Sequence, residues 1–359
     1  MHQNHDATLE FGRESRRNIP PSCIDVSGPG FYVRQRTETP HDACDARTMN
    51  PSQATALHAL GQALRQAGYH FMTVTPSTHR RINGRPGNER AVDLRGVFGW
   101  SRPFAPDLLP SSVLDLMREA GVLAEAERDL RATVRASSLG EMLLFHSAWP
   151  TRDEDAVFFG PDTYRFINAM RRGFSWIGSG PTRALDIGTG GGAGALTIAR
   201  QFPHAEVIGA DVNPKALELA AVNARLAGAG NLSLCRSDLF DGVHGDFDLI
   251  VSNPPFVLDP DARKYRHGGG ERGAELSRRI VEEGLARLRP GGSLMLYTGV
   301  ALSGPRDHFL DSIRPTLEAR CDTWNYEELD PDIFGGQLGE PGYEEVERIA
   351  AVWLHAVKR

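Results

Sequence analysis

Between Ala184 and Val257, short apolar runs alternate with segments whose apolar residues recur three and four positions apart. Ala184–Ile187, Glu206–Ala210, Leu232–Cys235 and Leu249–Ser252 are too short for helices and are rich in Val, Ile and Leu, so they read as strands. Ala195–Arg200 and Leu217–Ala227 read as the intervening helices, the second with Asn223 and Arg225 on its polar side. Downstream, Ser293–Tyr297 reads as a strand, Asp307–Leu317 as a helix, Cys321–Tyr326 as a strand, and Glu344–Val346 leads into a last strand at Ile349–Val357. Strands alternating with helices in this order predict an α/β unit around a parallel sheet. No internal repeat is visible.

The first part of the chain is patterned differently. Residues 1–50 are punctuated by Pro and Gly and have few periodic apolar positions, so an extended or disordered leader is expected there. From Pro51 onward, Ala54, Leu57, Leu60 and Leu64 recur at helical spacing, ending near Gly68. Thr78–Gly87, carrying Arg80, Arg81 and Arg85, reads as a polar, basic loop. Ser111-Ser112 can cap a helix over Val113, Leu114, Leu116 and Met117 that stops at Gly121. Leu130, Ala132, Val134 and Ala136 then alternate with Arg131, Thr133 and Arg135, and a break at Ser137–Gly140 precedes Met142–Phe145. Helix, strand, turn and strand predict a small α+β, winged-helix-like domain over residues 51–150, serving as a lid or as a docking unit for substrate. Residues 151–359 form the second domain.

Composition narrows the class. At 359 residues the chain has room for two domains, and 40% hydrophobic content supplies a core for each. No run approaches the roughly eighteen apolar residues of a membrane span. Met1–Asp6 lacks a signal-peptide pattern, and the cysteines at 23, 44, 235 and 321 show neither metal spacing nor a paired framework. A cytoplasmic protein without a metal site is therefore expected. Net charge is −6, unevenly spread: residues 1–105 hold 13 Arg, no Lys and 9 acidic residues. That basic surplus is compatible with RNA contact but far from the footprint of a dedicated nucleic-acid binder.

The chemistry concentrates in two loops. Asp186-Ile187-Gly188-Thr189-Gly190-Gly191-Gly192-Ala193-Gly194 follows the first strand and opens a helix. Glycines there let the backbone pass close to a ligand. The string partly fits a dinucleotide fingerprint. Asp186, though, would repel a pyrophosphate and suits a cationic group. Asp211 ends the second strand, where a carboxylate can accept from ribose hydroxyls. Asn253-Pro254-Pro255-Phe256 ends the fourth strand. Its prolines forbid helix and further ladder pairing, so the Asn253 amide oxygen and a main-chain carbonyl can face one point as two acceptors. An –NH₂ group offers the two matching donors, and Phe256 a face for a flat substrate.

With these motifs the chain resembles, over about residues 156–359, the class I S-adenosylmethionine-dependent methyltransferases with an Asn-Pro-Pro-aromatic motif. The nearest groups are the HemK-like release-factor glutamine methyltransferases and the ribosomal-RNA small-domain methyltransferases. Asp186, Gly188, Gly190 and Gly192 match the family's first motif. Phe159–Thr163 resembles the segment that closes over the cofactor. Gly268–Gly273 with Leu276 and Arg279 resembles the glycine-rich stretch after the catalytic loop, and Arg289–Tyr297 the turn into strand five. The resemblance implies a Rossmann-like, seven-stranded, mostly parallel sheet whose last two strands form an antiparallel edge. It also places Asp238 and Leu239 beside the adenine, with Asp238 accepting from its amino group. One departure concerns the acceptor: glutamine enzymes usually carry Tyr where this chain has Phe256, and Val257-Leu258-Asp259 fits neither substrate class.

Asn253, Pro254, Pro255 and Phe256 are thus the expected catalytic set. Asp186, Gly188, Gly190, Gly192, Asp211, Asp238, Leu239 and Asn253 are expected to hold S-adenosyl-L-methionine. The implied activity is N-methylation of an amide or exocyclic amine, with protein glutamine, an RNA base and a small metabolite all open as acceptors. A nicotinamide-dependent oxidoreductase would have no use for the Asn-Pro-Pro-Phe turn. A non-catalytic nucleotide- or RNA-binding module would not need Asn253 and the glycine loop together. His79, His146, His267 and His308 have no required role in this chemistry.

Overall fold

A computed structural model of the protein describes residues 23–26, 32–33, 49–151, 153–258, 267–270 and 273–359. Two short strands, β1 (Cys23–Asp25) and β2 (Tyr32–Val33), lie within the expected leader; Cys44 and the rest of it, apart from residues 26, 49 and 50, fall outside the described residues. Then come α1 (Pro51–Gln66), α2 (Pro76–Asn83), α3 (Leu94–Phe98) and α4 (Ser111–Glu119). Two antiparallel hairpins follow, β3 (Leu123–Ala126) with β4 (Asp129–Ala132), and β5 (Val134–Leu139) with β6 (Met142–Ser147).

Helix α1 starts at a reciprocal cap. The Asn50 side chain accepts from Gln53 N–H, and the Gln53 side chain accepts from Asn50 N–H, both at 2.9 Å. Its stripe of Leu57, Leu60 and Leu64 packs with Leu114 and Met117 of α4 in one buried cluster. Three features of this half differ from the sequence reading. Thr78–Gly87 is not a loop throughout: Thr75 caps α2, accepting from Thr78 N–H at 3.2 Å, and Pro76 enters at the first turn. The strand expected across residues 130–136 is divided at Thr133, whose N–H turns to Val122 O. Ser137 and Ser138 belong to β5, and the reversal falls at Gly140-Glu141. Four helices and two separate hairpins thus take the place of one winged unit.

The second half runs α5 (Pro161–Gly173), β7 (Arg183–Ile187), α6 (Ala193–Gln201), β8 (Glu206–Asp211), α7 (Pro214–Ala227), β9 (Leu232–Arg236), β10 (Phe247–Ser252), α8 (Glu275–Arg287), β11 (Leu288–Leu302), α9 (His308–Arg320), β12 (Cys321–Asp330) and β13 (Arg348–Lys358). The sequence reading did not place α8. Sheet order is β12-β13-β11-β10-β7-β8-β9, with β1 and β2 added beyond β9 to make nine strands. Strands β9, β8, β7, β10 and β11 are parallel, while β13 is antiparallel to both β11 and β12. The seven-stranded, mostly parallel sheet with an antiparallel edge is as expected from the sequence. Phe166 and Met170 of α5, Ile198 of α6 and Ala220 of α7 cover one face. Ile280 and Leu285 of α8 with Ile313 and Leu317 of α9 cover the other.

The two halves share a core. Leu219, Val222 and Leu226 of α7 are buried in the same cluster as Leu57, Leu60 and Phe145. Each such side chain contributes about 1.5–3 kcal/mol on burial, so this contact is a packed surface rather than a tether. Among the described residues no helix is long and apolar enough to cross a membrane.

Candidate active site

Strand order reverses at β7: the chain runs outward through β8 and β9, then returns to place β10 on the other side of β7. Ligands in open α/β sheets bind at such a switch point, beyond the carboxyl ends of the strands. The register brings the loops of interest to one level. Ile187 lies opposite Ser252 on β10 and Ala210 on β8, and Asp211 lies opposite Arg236 on β9. Each of these four strands therefore ends where a candidate loop begins.

The glycine loop leaves β7 with φ of 67° at Gly188, 54° at Gly190 and 89° at Gly192. At Gly190 the left-handed backbone has nothing within 4 Å of where a Cβ would stand, so it borders open space. Thr189 N–H donates to Ala210 O, and Gly190 N–H donates to Asp211 Oδ2 at 2.8 Å. Asp211 Oδ1 accepts from Asn213 N–H at 2.9 Å, and burial raises the pKa of this half-buried carboxyl. The acid at the end of β8 thus holds the glycine loop while standing at the crevice.

Asp186 is placed differently from its expected role. It is 2% exposed, and its Oδ2 accepts from Thr189 Oγ1 and from Ala195 N–H, both at 2.7 Å. The carboxyl therefore ties the strand end to the start of α6 instead of standing open to a ligand. Burial pushes its pKa up to about 7, opposed by those two bonds. Gly194 is part of the same fit, because a Cβ there would come 2.7 Å from Asp186 Oδ2.

Asn253 is half-buried, and its side chain makes no hydrogen bond to a described residue. Behind it, Ser252 Oγ donates to Ile187 O at 2.7 Å, pinning the end of β10 against β7. Phe256 corrects the sequence reading. Its ring is 8% exposed and packs edge-on against Phe334 at 5.3 Å and Tyr297 at 6.5 Å, so it offers no open face to a flat substrate. Beyond it, Leu258 N–H donates to Tyr343 Oη at 2.8 Å, and Gln337 Nε2 donates to Leu258 O at 2.9 Å. The stretch from Pro331 to Tyr343 thus braces the Asn-Pro-Pro-Phe turn from behind. Asp238 is exposed, and half-buried Leu239 has φ of 46°, with its carbonyl held by Ser237 Oγ at 2.8 Å.

Several contributors were not identified from the sequence. Asn223, expected on the polar side of its helix, is instead fully buried because the β5–β6 hairpin packs over it, and its Nδ2 donates to Gly191 O at 2.8 Å, supporting the glycine loop from α7. Its signal was present: Leu219, Val222, Asn223 and Leu226 share one helical stripe, which puts an amide in an apolar row. Asn213 Nδ2 donates to Asp155 O at 2.8 Å, fixing the segment that leads into α5. At the start of α5, Tyr297 Oη donates to buried Asp162 Oδ1 at 2.7 Å. His79 and His146 are buried and structural, while His308 is exposed.

This strand order, with the glycine loop after β7 and the Asn-Pro-Pro-Phe turn after β10, defines a class I methyltransferase. The family model described as "Methyltransferase small domain" matches residues 178–312. The release factor glutamine methyltransferase of Cereibacter sphaeroides is 40% identical over 232 residues, covering 60% of this chain and 80% of that protein. The chain belongs to the family of these HemK-like glutamine methyltransferases. Its counterpart from Deinococcus radiodurans is 38% identical over 167 residues, covering 43% of this chain and 55% of that protein. The ribosomal protein uL3 glutamine methyltransferase of Xanthomonas campestris is 36% identical over 136 residues, covering 34% of this chain and 44% of that protein. The chain thus spans about half the length of several of the curated relatives it matches.

Proposed function

We propose that this protein methylates an amide nitrogen of a protein glutamine, using S-adenosylmethionine. The observation that carries the reading is Asn253: a half-buried amide whose side chain has no hydrogen-bond partner among the described residues, one strand away from a glycine loop that borders open space. The crevice suits the cofactor. The backbone at Gly188, Gly190 and Gly192 leaves room for its close approach; in this reading Asp211, at the end of β8, accepts from the ribose hydroxyls and exposed Asp238 beside Leu239 accepts from the adenine. The cofactor supplies an electrophilic methyl group on a cationic sulfur.

An amide nitrogen attacks poorly because its lone pair is delocalised into the carbonyl. Asn253 Oδ1 and Pro254 O accept its two N–H bonds, orient it and favour partial pyramidalisation. As positive charge grows on nitrogen these acceptor bonds strengthen, so they stabilise the transition state more than the bound substrate. Holding the acceptor at attack distance contributes about 7–11 kcal/mol in well-oriented systems. No strong base is needed, because the methylated nitrogen is far more acidic than the starting amide. Residues 51–150 serve as the acceptor-recognition unit. A reducing cytoplasm suits the buried free thiol of Cys321.

The test has two readings. Calorimetry should show binding of S-adenosylmethionine and its demethylated product. Mass spectrometry of proteins, RNA and metabolites from cells lacking the protein should show one missing methyl mark, on a glutamine. NADH binding without response to either sulfur compound would sink the proposal, and a mark missing from RNA alone would move the acceptor.

A further inference from the structure

Arg165 on α5 bridges two carboxylates from different parts of the fold. Its Nη1 lies 3.3 Å from Asp162 Oδ1, in the first turn of the same helix, and its Nη2 lies 2.9 Å from Asp330 Oδ2. Asp330 is the last residue of β12, immediately before the Pro331–Tyr343 stretch that braces the Asn-Pro-Pro-Phe turn. Asp162 is 5% exposed, and the oxygen that meets Arg165 also accepts from Tyr297 Oη at 2.7 Å. Tyr297 follows Leu296, the partner of Ser252, so it stands level with Asn253, and its ring lies 6.5 Å from that of Phe256. The segment entering α5 is fixed to the crevice in turn. Asp155 O accepts from Asn213 Nδ2, and Val157 Cγ1 lies 3.8 Å from where a Cβ on Gly191 would stand.

The stretch beyond Asp330 is held in a conformation it would not keep alone. Phe334 has φ of 55° and ψ of 31°, a left-handed backbone that is strained for a bulky residue and persists only where neighbours enforce it. Gly336 and Gly339 border open space, so they add no packing. Two ties join the stretch to β13: Arg348 Nη1 donates to Pro331 O at 3.0 Å, and Ile333 N–H to Ile349 O at 2.7 Å. The tie to α5 is Arg165. A second pair between α5 and β12, Arg172 with Glu327 at 3.5 Å, is exposed and lies farther from the stretch. A strained segment on few anchors is an element whose equilibrium a neighbouring site can bias.

We propose that Arg165 is a positioning residue for methyl transfer, coupling cofactor occupancy at the crevice to the Pro331–Tyr343 stretch, so that the acceptor turn tightens once the cofactor is in place. Productive binding is then ordered, cofactor first and acceptor second. One planar guanidinium gives a nitrogen to each carboxylate, which the single nitrogen of a lysine does not reproduce. The Asp162 end is buried and fixed by Tyr297, so displacement of the first turn of α5 is carried to Arg165. The Asp330 end is half-buried, and an ion pair of that exposure limits the coupling to about fivefold at most in acceptor affinity. The identity of the cofactor rests on the methyl-transfer reading above; the Arg165 bridge does not.

The test is hydrogen–deuterium exchange read by mass spectrometry on the full-length protein, with and without the demethylated product of S-adenosylmethionine. In the wild type the product should slow exchange in the glycine loop and also in peptides spanning Leu258 and residues 331–343. Asp330→Asn and Arg165→Gln should each keep the slowing at the glycine loop and lose most of it at 331–343. The double variant should be no worse than either single one, as expected for one shared link. Arg165→Lys should keep part of the effect. Arg348→Gln, which releases Pro331 from β13, should speed exchange in the stretch but leave its response to the product intact. Asp330→Asn alters only a half-buried pair, so it decides the matter should Arg165→Gln not fold. An unchanged response in Asp330→Asn overturns the proposal, as does protection of the glycine loop without the stretch in the wild type. Should the product protect neither region, the methyl-transfer reading falls as well, and the two failures are told apart at the glycine loop.

Discussion

Asn223 pairs with Phe145 as a strand neighbour would: its Oδ1 accepts Phe145 N–H at 2.8 Å and its Nδ2 donates to Phe145 O at 3.0 Å. The same Nδ2 reaches Gly191 O, so one side chain on α7 fastens the β5–β6 hairpin to the glycine loop. Asn223→Ala leaves three buried backbone groups unpaired, each costing about 1–3 kcal/mol. A lower melting temperature is expected together with weaker cofactor binding. Unchanged cofactor affinity in a folded variant would show that Gly191 is held by other means.

Asn253→Ala should separate chemistry from binding. Loss of one preorganised polar contact costs about 3 kcal/mol, a fall in kcat on the order of a thousandfold at most. Cofactor affinity by calorimetry should stay within error. Gly190→Val should do the reverse, because a branched side chain at φ of 54° is strained and fills the space where the backbone meets its ligand. Parallel loss of both properties in Asn253→Ala would mean that this residue only shapes the loop.

The carboxyl of Asp186 gives stability a pH dependence of a definite sign. Its pKa is about 7 in the folded chain and lies at the ordinary 3.8 in the unfolded one. Between those values the folded state holds more protons, so this contribution is full below about pH 4 and is lost as pH rises through 7. Asp186→Asn should flatten that slope in urea melts and stand level with or above the wild type at about pH 8. Parallel slopes for the two proteins would count against it.

Tyr343 and Gln337 grip the two backbone groups of Leu258 just past the Asn-Pro-Pro-Phe turn. Tyr343→Phe and Gln337→Ala should therefore lower kcat with little change in cofactor affinity. Each leaves one backbone group without its partner, worth about 1–3 kcal/mol. Turnover at the wild-type level in both variants would show that the turn is rigid without this brace.

Arg80 and Arg81 at the end of α2, with Arg85 beyond it, are exposed. If the acceptor is a protein, a triple Arg→Ala variant should retain acceptor affinity across a salt series. A large loss with a shallower salt slope would instead point to phosphate contacts and an RNA acceptor.

The succession of strands and helices and the two loops were legible in the sequence, and the resemblance implied the sheet they build. Short apolar runs punctuated by glycine and proline constrain the backbone locally, whatever surrounds them. Glycine after β7 and proline after β10 therefore announce their turns without tertiary context. Helix α2 was also legible in principle, through Thr75-Pro76, but its basic residues resemble those of a loop. Strand β5 was not legible as one element, because the alternation of Val134 and Ala136 with Arg135 runs on unbroken from Leu130, Ala132 and Thr133, and only the pairing with β6 sets its bounds. The orientation of individual side chains depended on what packs against them. Phe256 turns inward because Phe334 and Tyr297 close around it, and Asn223 is buried because the hairpin lies across α7. Local sequence set the elements and their turns; long-range packing decided which polar groups were buried and what they faced.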